Sequence, residues 1–203
     1  MKISQTVEHI TKWIKSYKER NKINGLVIGV SGGIDSALTS TLCGLTGIKT
    51  LCLNMPIRQR QDQYQRAKNH IKWLENKFVN VKSIDFELTS VFNEFKKCVE
   101  NKSQADELAL ANSRSRIRMM ALYYYAGIDN SIVVGTGNKV EDFGIGFYTK
   151  YGDGGVDISP IEIILYNFWD FHYINHKSKT KYFSQLNSFY CIIIVDALNN
   201  ECC

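Results

Sequence analysis

The chain has 203 residues, of which 44% are hydrophobic, so it is long enough for one domain with a buried core. Its formal net charge is +5, but the basic residues are spread along helical stretches, which favours solvated helix faces over a nucleic-acid surface. The six cysteines show neither metal-ligand spacing nor a disulfide framework, and no apolar run approaches the ~18 residues of a membrane span. We therefore expect a cytoplasmic protein with neither nucleic acid nor membrane as a partner.

Patterns typical of helices and strands alternate along the first two thirds of the chain. Apolar residues at helical spacing predict an opening helix over Ser4–Tyr17. The further predicted elements, in order, are a strand at Leu26–Val30, a helix from Ala37 to about Leu45, a strand at Ile48–Leu53, a helix at Gln61–Lys77, a strand at Val79–Phe86, helices at Leu88–Glu100 and Glu107–Tyr125, and a strand at Ser131–Val134. This alternation predicts a parallel, doubly wound α/β sheet with helices on both faces and ligands at the carboxyl ends of the strands.

The turn after the first predicted strand carries the sequence SGGIDS, Ser31–Ser36. Adjacent glycines let backbone N–H groups approach an anion closely, and the helix that follows adds its positive N-terminal end. The two serines are further potential donors, and Asp35 stands where a carboxylate can hold a cation beside phosphates. A glycine pair between strand and helix also serves as an ordinary tight turn. The loop lacks a P-loop lysine and resembles the loop of ATP pyrophosphatases, which cleave ATP between its α and β phosphates.

A second group of candidates lies on the helix predicted at Glu107–Tyr125. Arg114 and Arg118 are four residues apart and share a helix face, whereas Arg116 points elsewhere. Guanidinium groups suit phosphates because their fork makes bidentate hydrogen bonds and keeps its charge. Exposed basic positions on a helix surface are the alternative explanation.

Two loops near the predicted strand Ser131–Val134 complete the set. The sequence GTGNKVE supplies the Thr136 hydroxyl and the Glu141 carboxylate, although a glutamate after a loop is also a common helix N-terminal residue. The sequence FYTKYGDGGVD gathers Lys150, Asp153 and Asp157 beside aromatic residues. A turn-forming Asp-Gly pair explains Asp153 alone, but it accounts less well for the three charges together.

Taken in order, SGGIDSA, NSRSRIRM, GTGNKVE and FYTKYGDGGVDISPI resemble the NAD synthetase family in its ammonia-dependent form, over most of Met1–Ile161. The resemblance implies a Rossmann-like fold of the adenine nucleotide alpha hydrolase type and a homodimer. It also implies a ligase that forms a carbon–nitrogen bond, making NAD from nicotinic acid adenine dinucleotide, ATP and ammonia with Mg²⁺. The reaction would pass through an adenylated intermediate and release AMP and pyrophosphate.

The same resemblance implies roles for individual positions of this sequence. Asp153 is the catalytic candidate near the ammonia site, and Asp35 and Glu141 are the Mg²⁺ ligands. One residue more than in many family members precedes FYTK, so Asp142 competes with Glu141 for the metal. The positions implied to bind the dinucleotide substrate are Arg116, Lys150 and Asp157. Those implied to bind ATP are Gly29, Val30, Ser31, Gly32, Gly33, Ile34, Asp35, Ser36, Gln61, Arg118 and Thr136.

The last segment departs from the family pattern. Residues 162–203 contain no glycine, arginine or proline, and EIILYN stands where the family carries a lysine in a Lys-Thr-Glu-type helix that contacts ATP. Lys177, Lys179 and Lys181 lack that surrounding motif. We therefore divide the chain into a family-like ATP-pyrophosphatase domain, 1–161, and a divergent tail, 162–203. A shifted reading frame in an AT-rich gene is one explanation of the tail.

Three functions follow from these observations. The motifs predict an active ammonia-dependent NAD synthetase. The tail leaves open a truncated or inactive nucleotide-binding remnant of the family. A third candidate is another ATP pyrophosphatase that amidates or thiolates its substrate, such as tRNA. The absence of a catalytic cysteine pattern and of a dense basic patch argues against this third candidate.

Overall fold

Helices and parallel strands alternate through residues 3–100, 106–138, 142 and 146–162, which are the parts of the chain that the computed structural model describes. The predicted order of elements is confirmed. Glu141 and the predicted tail from residue 163 onward lie outside these ranges. The elements are α1 Ile3–Asn21, β1 Leu26–Gly29, α2 Ile34–Leu45, β2 Thr50–Asn54, α3 Gln61–Lys77, β3 Val81–Asp85, α4 Thr89–Glu100, α5 Glu107–Ile128 and β4 Ile132–Val134.

The four strands form one parallel sheet in the order β3-β2-β1-β4. The chain adds strands on one side of β1 and then returns to its other side with β4, where Leu26 pairs with Ile132. This reversal creates a topological switch point between β1 and β4, where open α/β sheets bind their ligands. The predicted α/β, Rossmann-like fold is confirmed.

Both faces of the sheet are covered by helices, as predicted. Alternate residues of β1 point to opposite faces, so Leu26 and Ile28 pack against α1, α2 and α3, whereas Val27 packs against α4 and α5. This two-sided burial explains why β1 is a continuous apolar run rather than an alternating one. Cys43 and Cys52 are fully buried as predicted for core residues, and burial raises the pKa of Cys52 to about 12.

Several element boundaries differ from the predictions by one to four residues, and the starts of α2, β2 and β3 are examples. Helix α2 begins at Ile34 rather than Ala37, so part of the predicted loop is the first helical turn. Strand β2 begins at Thr50, because the backbone of Ile48 bonds side chains instead: its N–H donates to Thr46 Oγ1, and its carbonyl accepts from Asn80 Nδ2. Strand β3 begins at Val81, and Val79 is 97% exposed.

None of the helices in the described ranges combines the length and apolar character that a bilayer span requires.

Candidate functional site

A cavity of about 510 Å³ opens at the carboxyl ends of β1, β2 and β4. It therefore lies at the switch point, where the strand order predicts a ligand. Its walls come from the loops after these strands, from the segment before α3, from one face of α5 and from the loop around Asp153. Its lining residues include Gly29, Val30, Ser31, Gln59, Gln63, Ser115, Arg118, Gly135, Thr136 and Asp153.

The loop after β1 is held in shape by its own serines. The Ser36 hydroxyl donates to the Gly33 carbonyl at 2.9 Å and accepts from the Ser31 N–H at 3.2 Å. The Gly33 N–H in turn donates to the Ser31 hydroxyl at 3.2 Å. The two hydroxyls were expected to donate to a phosphate, but in this structure they form the frame of the loop. Gly33 precedes α2 without a side-chain cap, which leaves the positive helix end to face an anion.

Two side chains from the next helical segment support this loop from outside. Gln59 Nε2 donates to the Ser31 carbonyl at 2.8 Å, and Arg66 Nε donates to the Gly32 carbonyl at 3.3 Å. Arg66 is also paired with Asp62 at 3.0 Å.

Gln61, the predicted ATP contact, is exposed and does not line the cavity, whereas Gln59 does. Sequence reasoning missed Gln59 because three glutamines, at 59, 61 and 63, stand at alternate positions with nothing local to rank them.

Arg118 is the arginine of α5 that reaches the cavity. Its Nε donates to the Met55 carbonyl at 3.0 Å, which fixes the guanidinium beside the end of β2. Burial, and secondarily the charge of Arg114, lower the pKa of Arg118 from its usual value. Arg114 itself lies 5.4 Å from the centroid of the Phe92 ring. A fixed, half-buried guanidinium at a cavity wall is suited to binding an anionic ligand.

The loop 146–155 lies against a polar stripe of α5. Thr149 Oγ1 donates to Asn112 Oδ1 at 2.9 Å, and Arg116 Nε donates to the Lys150 carbonyl at 3.1 Å. These contacts bring Asp153 to the cavity wall. Arg116 and Lys150 are themselves exposed and do not line the cavity.

Asp157, predicted to bind substrate, forms hydrogen bonds with other residues of this chain. Its Oδ2 accepts from the Val133 N–H of β4 at 2.7 Å, and its Oδ1 lies 3.1 Å from the Tyr123 hydroxyl. That hydroxyl also lies 2.9 Å from the Gly155 carbonyl. Burial, and then the Asp157 charge, raise the pKa of Tyr123 to about 12. In this structure Asp157 therefore ties the loop to the sheet.

The loop after β4 brings backbone close to the cavity. The Gly135 N–H donates to the Ile158 carbonyl at 2.8 Å, and a Cβ at Gly135 would lie 2.5 Å from Val156 Cγ2. Thr136, one of the predicted ATP contacts, lines the cavity. The Asp142 carboxylate lies against Gly137, where a Cβ would overlap it. Glu141, the other predicted metal ligand, lies outside the described residues.

Comparison with known proteins identifies the family of this chain. A family model described as NAD synthase matches residues 6–168. The NH(3)-dependent NAD(+) synthetase of Methanosarcina acetivorans is 37% identical over 166 residues, which cover 79% of this chain and 62% of that protein. The protein of the same name from Mesoplasma florum is 33% identical over 167 residues, which cover 81% of this chain and 66% of the relative.

Solved structures of related proteins share the fold. The NMN synthetase of Francisella tularensis superposes with a TM-score of 0.72 at 31% identity and covers 79% of this chain and 65% of that one. The NH3-dependent NAD synthetase of Campylobacter jejuni gives a TM-score of 0.70 at 28% identity, covering 85% and 75%. This chain spans about 62% of the length of the Methanosarcina acetivorans protein. It belongs to the NAD synthase family.

Proposed function

We propose that this chain is an ammonia-dependent NAD synthetase, a ligase that amidates nicotinic acid adenine dinucleotide at the expense of ATP. The observation that carries the proposal is the convergence of the Ser31–Ser36 loop, Arg118, Thr136 and Asp153 on one cavity at the switch point of the sheet. The names of the relatives support the choice of reaction. A cytoplasmic location belongs to the same proposal.

ATP is proposed to lie with its phosphates at the start of α2. The backbone around Gly32 and Gly33 allows close approach, and the uncapped helix end favours negative charge. Arg118 and Thr136 line the same cavity and supply a guanidinium and a hydroxyl. These groups would stabilise the charge that develops on the departing pyrophosphate when the substrate carboxylate attacks the α-phosphorus.

Mg²⁺ is the proposed cation beside those phosphates. Asp35 fits it, because this carboxylate stands in the first turn of α2 next to the loop, and Mg²⁺ is commonly held by one or two carboxylates together with substrate phosphates. Within the described ranges no cluster of three acidic, histidine or cysteine side chains offers a complete cage. The second ligand is Glu141 or Asp142. When bound, the ion would neutralise phosphate charge.

An Asp35→Ala variant tests this assignment. We expect pyrophosphate release to fall by more than 100-fold with the fold intact, because the side chain is half-buried at a helix start rather than in the core. Glu107→Ala is the matched control, since Glu107 is the acidic residue in the first turn of α5. The measurements are pyrophosphate release and the Mg²⁺ dependence of ATP binding. Turnover like that of the control would remove Asp35 from the metal site.

The second step is proposed to use Asp153. Near pH 7 ammonia is present mostly as the ammonium ion, so a positioned carboxylate is needed to orient the ion and take its proton. Free ammonia then attacks the activated carbonyl, and AMP leaves. The dinucleotide is proposed to bind near Arg116, Lys150 and Asp157. In this structure Arg116 donates to the Lys150 carbonyl, and Asp157 accepts from the Val133 N–H and lies 3.1 Å from the Tyr123 hydroxyl. Substrate binding through Arg116 and Asp157 therefore requires these contacts to be exchanged or shared.

A homodimer is proposed through the outer face of α5. Met120, Tyr124 and Ile128 follow one another at four-residue spacing and are 64%, 65% and 65% exposed. Such a contiguous apolar stripe is typical of an interaction surface. The occupant we propose is a second copy of this chain, as the resemblance implies.

The deciding experiment assays the chain itself. Purified protein is incubated with ATP, Mg²⁺, ammonium and nicotinic acid adenine dinucleotide, and NAD and pyrophosphate are measured together. We expect equal amounts of both, and no NAD without ammonium. A folded chain that binds ATP but releases no pyrophosphate would be the inactive remnant. Because one similar solved structure is an NMN synthetase, formation of NMN from the corresponding mononucleotide is the second candidate and is assayed in parallel.

A further inference from the structure

We infer that Ser115 is the positioning residue for Asp153 in the ammonia-dependent step, an inference that rests on the proposed function. The Ser115 hydroxyl donates to Asp153 Oδ1 at 2.6 Å, and the Asp153 backbone N–H donates back to the Ser115 hydroxyl oxygen at 3.0 Å. One hydroxyl thus holds both the main chain and the carboxylate of Asp153. Both side chains line the same cavity, so the carboxylate is held at the cavity wall.

The bonds to this carboxylate also set its rotation. The Thr149 N–H donates to Asp153 Oδ1 at 3.1 Å, so two donors, the Thr149 amide and the Ser115 hydroxyl, converge on the same oxygen. Neither of these bonds uses Oδ2. Oδ2 is therefore the oxygen that we assign to accept a hydrogen bond from ammonium and then its proton. Without the Ser115 hydroxyl, the carboxylate loses one of its two fixed donors and rotates more freely.

Close packing keeps Ser115 and the loop in register. Gly152 is buried, and a Cβ placed on it would overlap the Ser115 hydroxyl and approach the Thr149 Cβ to 3.0 Å. A side chain at position 152 would therefore push the loop away from Ser115. The hydrogen bonds of the Ser115–Asp153 pair are exposed, but the buried Gly152 backbone packs against Ser115 and holds the two residues together.

Other contacts hold the loop independently of Ser115. Thr149 Oγ1 donates to Asn112 one helical turn earlier, and Arg116 donates to the Lys150 carbonyl. Both remain when the hydroxyl is removed. A Ser115→Ala variant should therefore keep the loop on α5 while removing one of the two donors that fix the Asp153 carboxylate, which separates positioning from folding.

The first test compares Ser115→Ala with Ser113→Ala. Ser113 is the matched control, because its hydroxyl lies two residues away on α5 and donates to the Ala109 carbonyl of its own helix. With ammonium varied at saturating ATP and dinucleotide, we expect Ser115→Ala to lower kcat/KM for ammonium about tenfold or more. Single-turnover pyrophosphate release without ammonium should stay within about twofold of wild type, because this first step does not use Asp153.

Gly152→Ala is the second variant. We expect it to reproduce the ammonium defect, because the added methyl group displaces the Ser115 hydroxyl. In the double variant with Ser115→Ala, the loss should be smaller than the product of the two single losses, since the hydroxyl that the methyl group displaces is already gone. Fully multiplicative losses would show that the two positions act separately and would contradict the pairing.

Amide hydrogen exchange supplies a readout that does not depend on turnover. In Ser115→Ala the Asp153 amide loses its acceptor and should exchange faster than in Ser113→Ala, whereas unchanged exchange would overturn the pairing. Equal losses of pyrophosphate release and NAD formation would overturn the assignment to the ammonia step. A wild-type chain that makes no NAD would refute the proposed function and the ammonia role with it. Exchange at Asp153 would then still decide whether Ser115 holds the residue.

Discussion

Tyr123 links three parts of the molecule through one hydroxyl group. It stands on α5, lies 2.9 Å from the Gly155 carbonyl of the neighbouring loop, and lies 3.1 Å from the Asp157 carboxylate that binds the β4 backbone. The neutral phenol can donate a hydrogen bond to these acceptors, whereas a phenolate cannot and would repel Asp157. Through this single residue, the attachment of the loop weakens at alkaline pH.

We expect stability to fall between about pH 10 and about pH 12 through Tyr123. The pKa of this group rises from 10.0 to about 12 on folding, so in this range the native chain holds a proton that the unfolded chain has lost. The contribution is fully present below pH 10. In Tyr123→Phe the fall across this range should be smaller, as measured by urea midpoints at pH 9 and pH 11. Equal falls in the two proteins would contradict this coupling.

Individual site residues were predictable when they stand in a recognisable local pattern. Ser31, Arg118, Thr136 and Asp153 were predicted from their motifs and line the cavity. Ser115 and Gln59 line the cavity too, but no local sequence pattern marks them. Their hydrogen-bond partners, Asp153 and Ser31, are 38 and 28 residues away, so the pairing depends on tertiary contacts. Polar side chains that bond distant backbone groups are the residues that local sequence patterns identify least well.

At the scale of elements, the loop after β1 is defined by its fit against α3. Gly32 has a φ of +81°, and a Cβ there would overlap the Gln63 carbonyl and lie 3.2 Å from the Ala67 nitrogen. Both the backbone conformation and the lack of space therefore require glycine. The helix that supports the loop leaves no freedom at this position.

Gly32→Ala should consequently displace the loop after β1. We expect a loss of about 1–3 kcal/mol in the free energy of unfolding, and ATP binding weakened at least tenfold, because the loop must move away from α3. Gly47→Ala is the control, since Gly47 has a similar φ of +70° but no atom within 4 Å of the Cβ position. Calorimetric ATP titration and urea unfolding measure the two effects. If both variants lose stability equally and both keep ATP binding, contact with Gln63 has no role.

Element boundaries were less predictable than element order. The sequence pattern predicted that α2 begins near Ala37, after the SGGIDS turn. In the structure Gly33 takes the N-cap position, and Asp35 and Ser36 stand inside the first turn. The Ser36 hydroxyl bonds the Gly33 carbonyl there, an arrangement that depends on the folded loop and has no signature in local propensity.

At the scale of the whole molecule, alternation of strands and helices predicted a parallel sheet with two helical layers, but not which strands are neighbours. Hydrophobic pattern alone cannot tell whether β4 joins beside β3 or beside β1, because it indicates which residues of a strand are buried and not which strand lies next to it. The structure pairs β4 with β1 and so brings Thr136 to the same cavity as Ser31. The motifs predicted that these loops belong together, and the strand order explains how they meet.

The exposed stripe of α5 leads to a test of assembly. A stable dimer buries about 1,200–2,000 Å² in total, usually around a few large apolar or aromatic anchors, and Met120 and Tyr124 have this character. We expect the wild-type chain to sediment as a dimer at micromolar concentration, and Met120→Lys/Tyr124→Lys to sediment as a monomer with an unchanged circular dichroism spectrum, because two buried lysines per subunit are costly to desolvate. Val79→Lys should remain dimeric, since Val79 is 97% exposed at a site away from α5. A double variant that stays dimeric would place the interface elsewhere on the molecule.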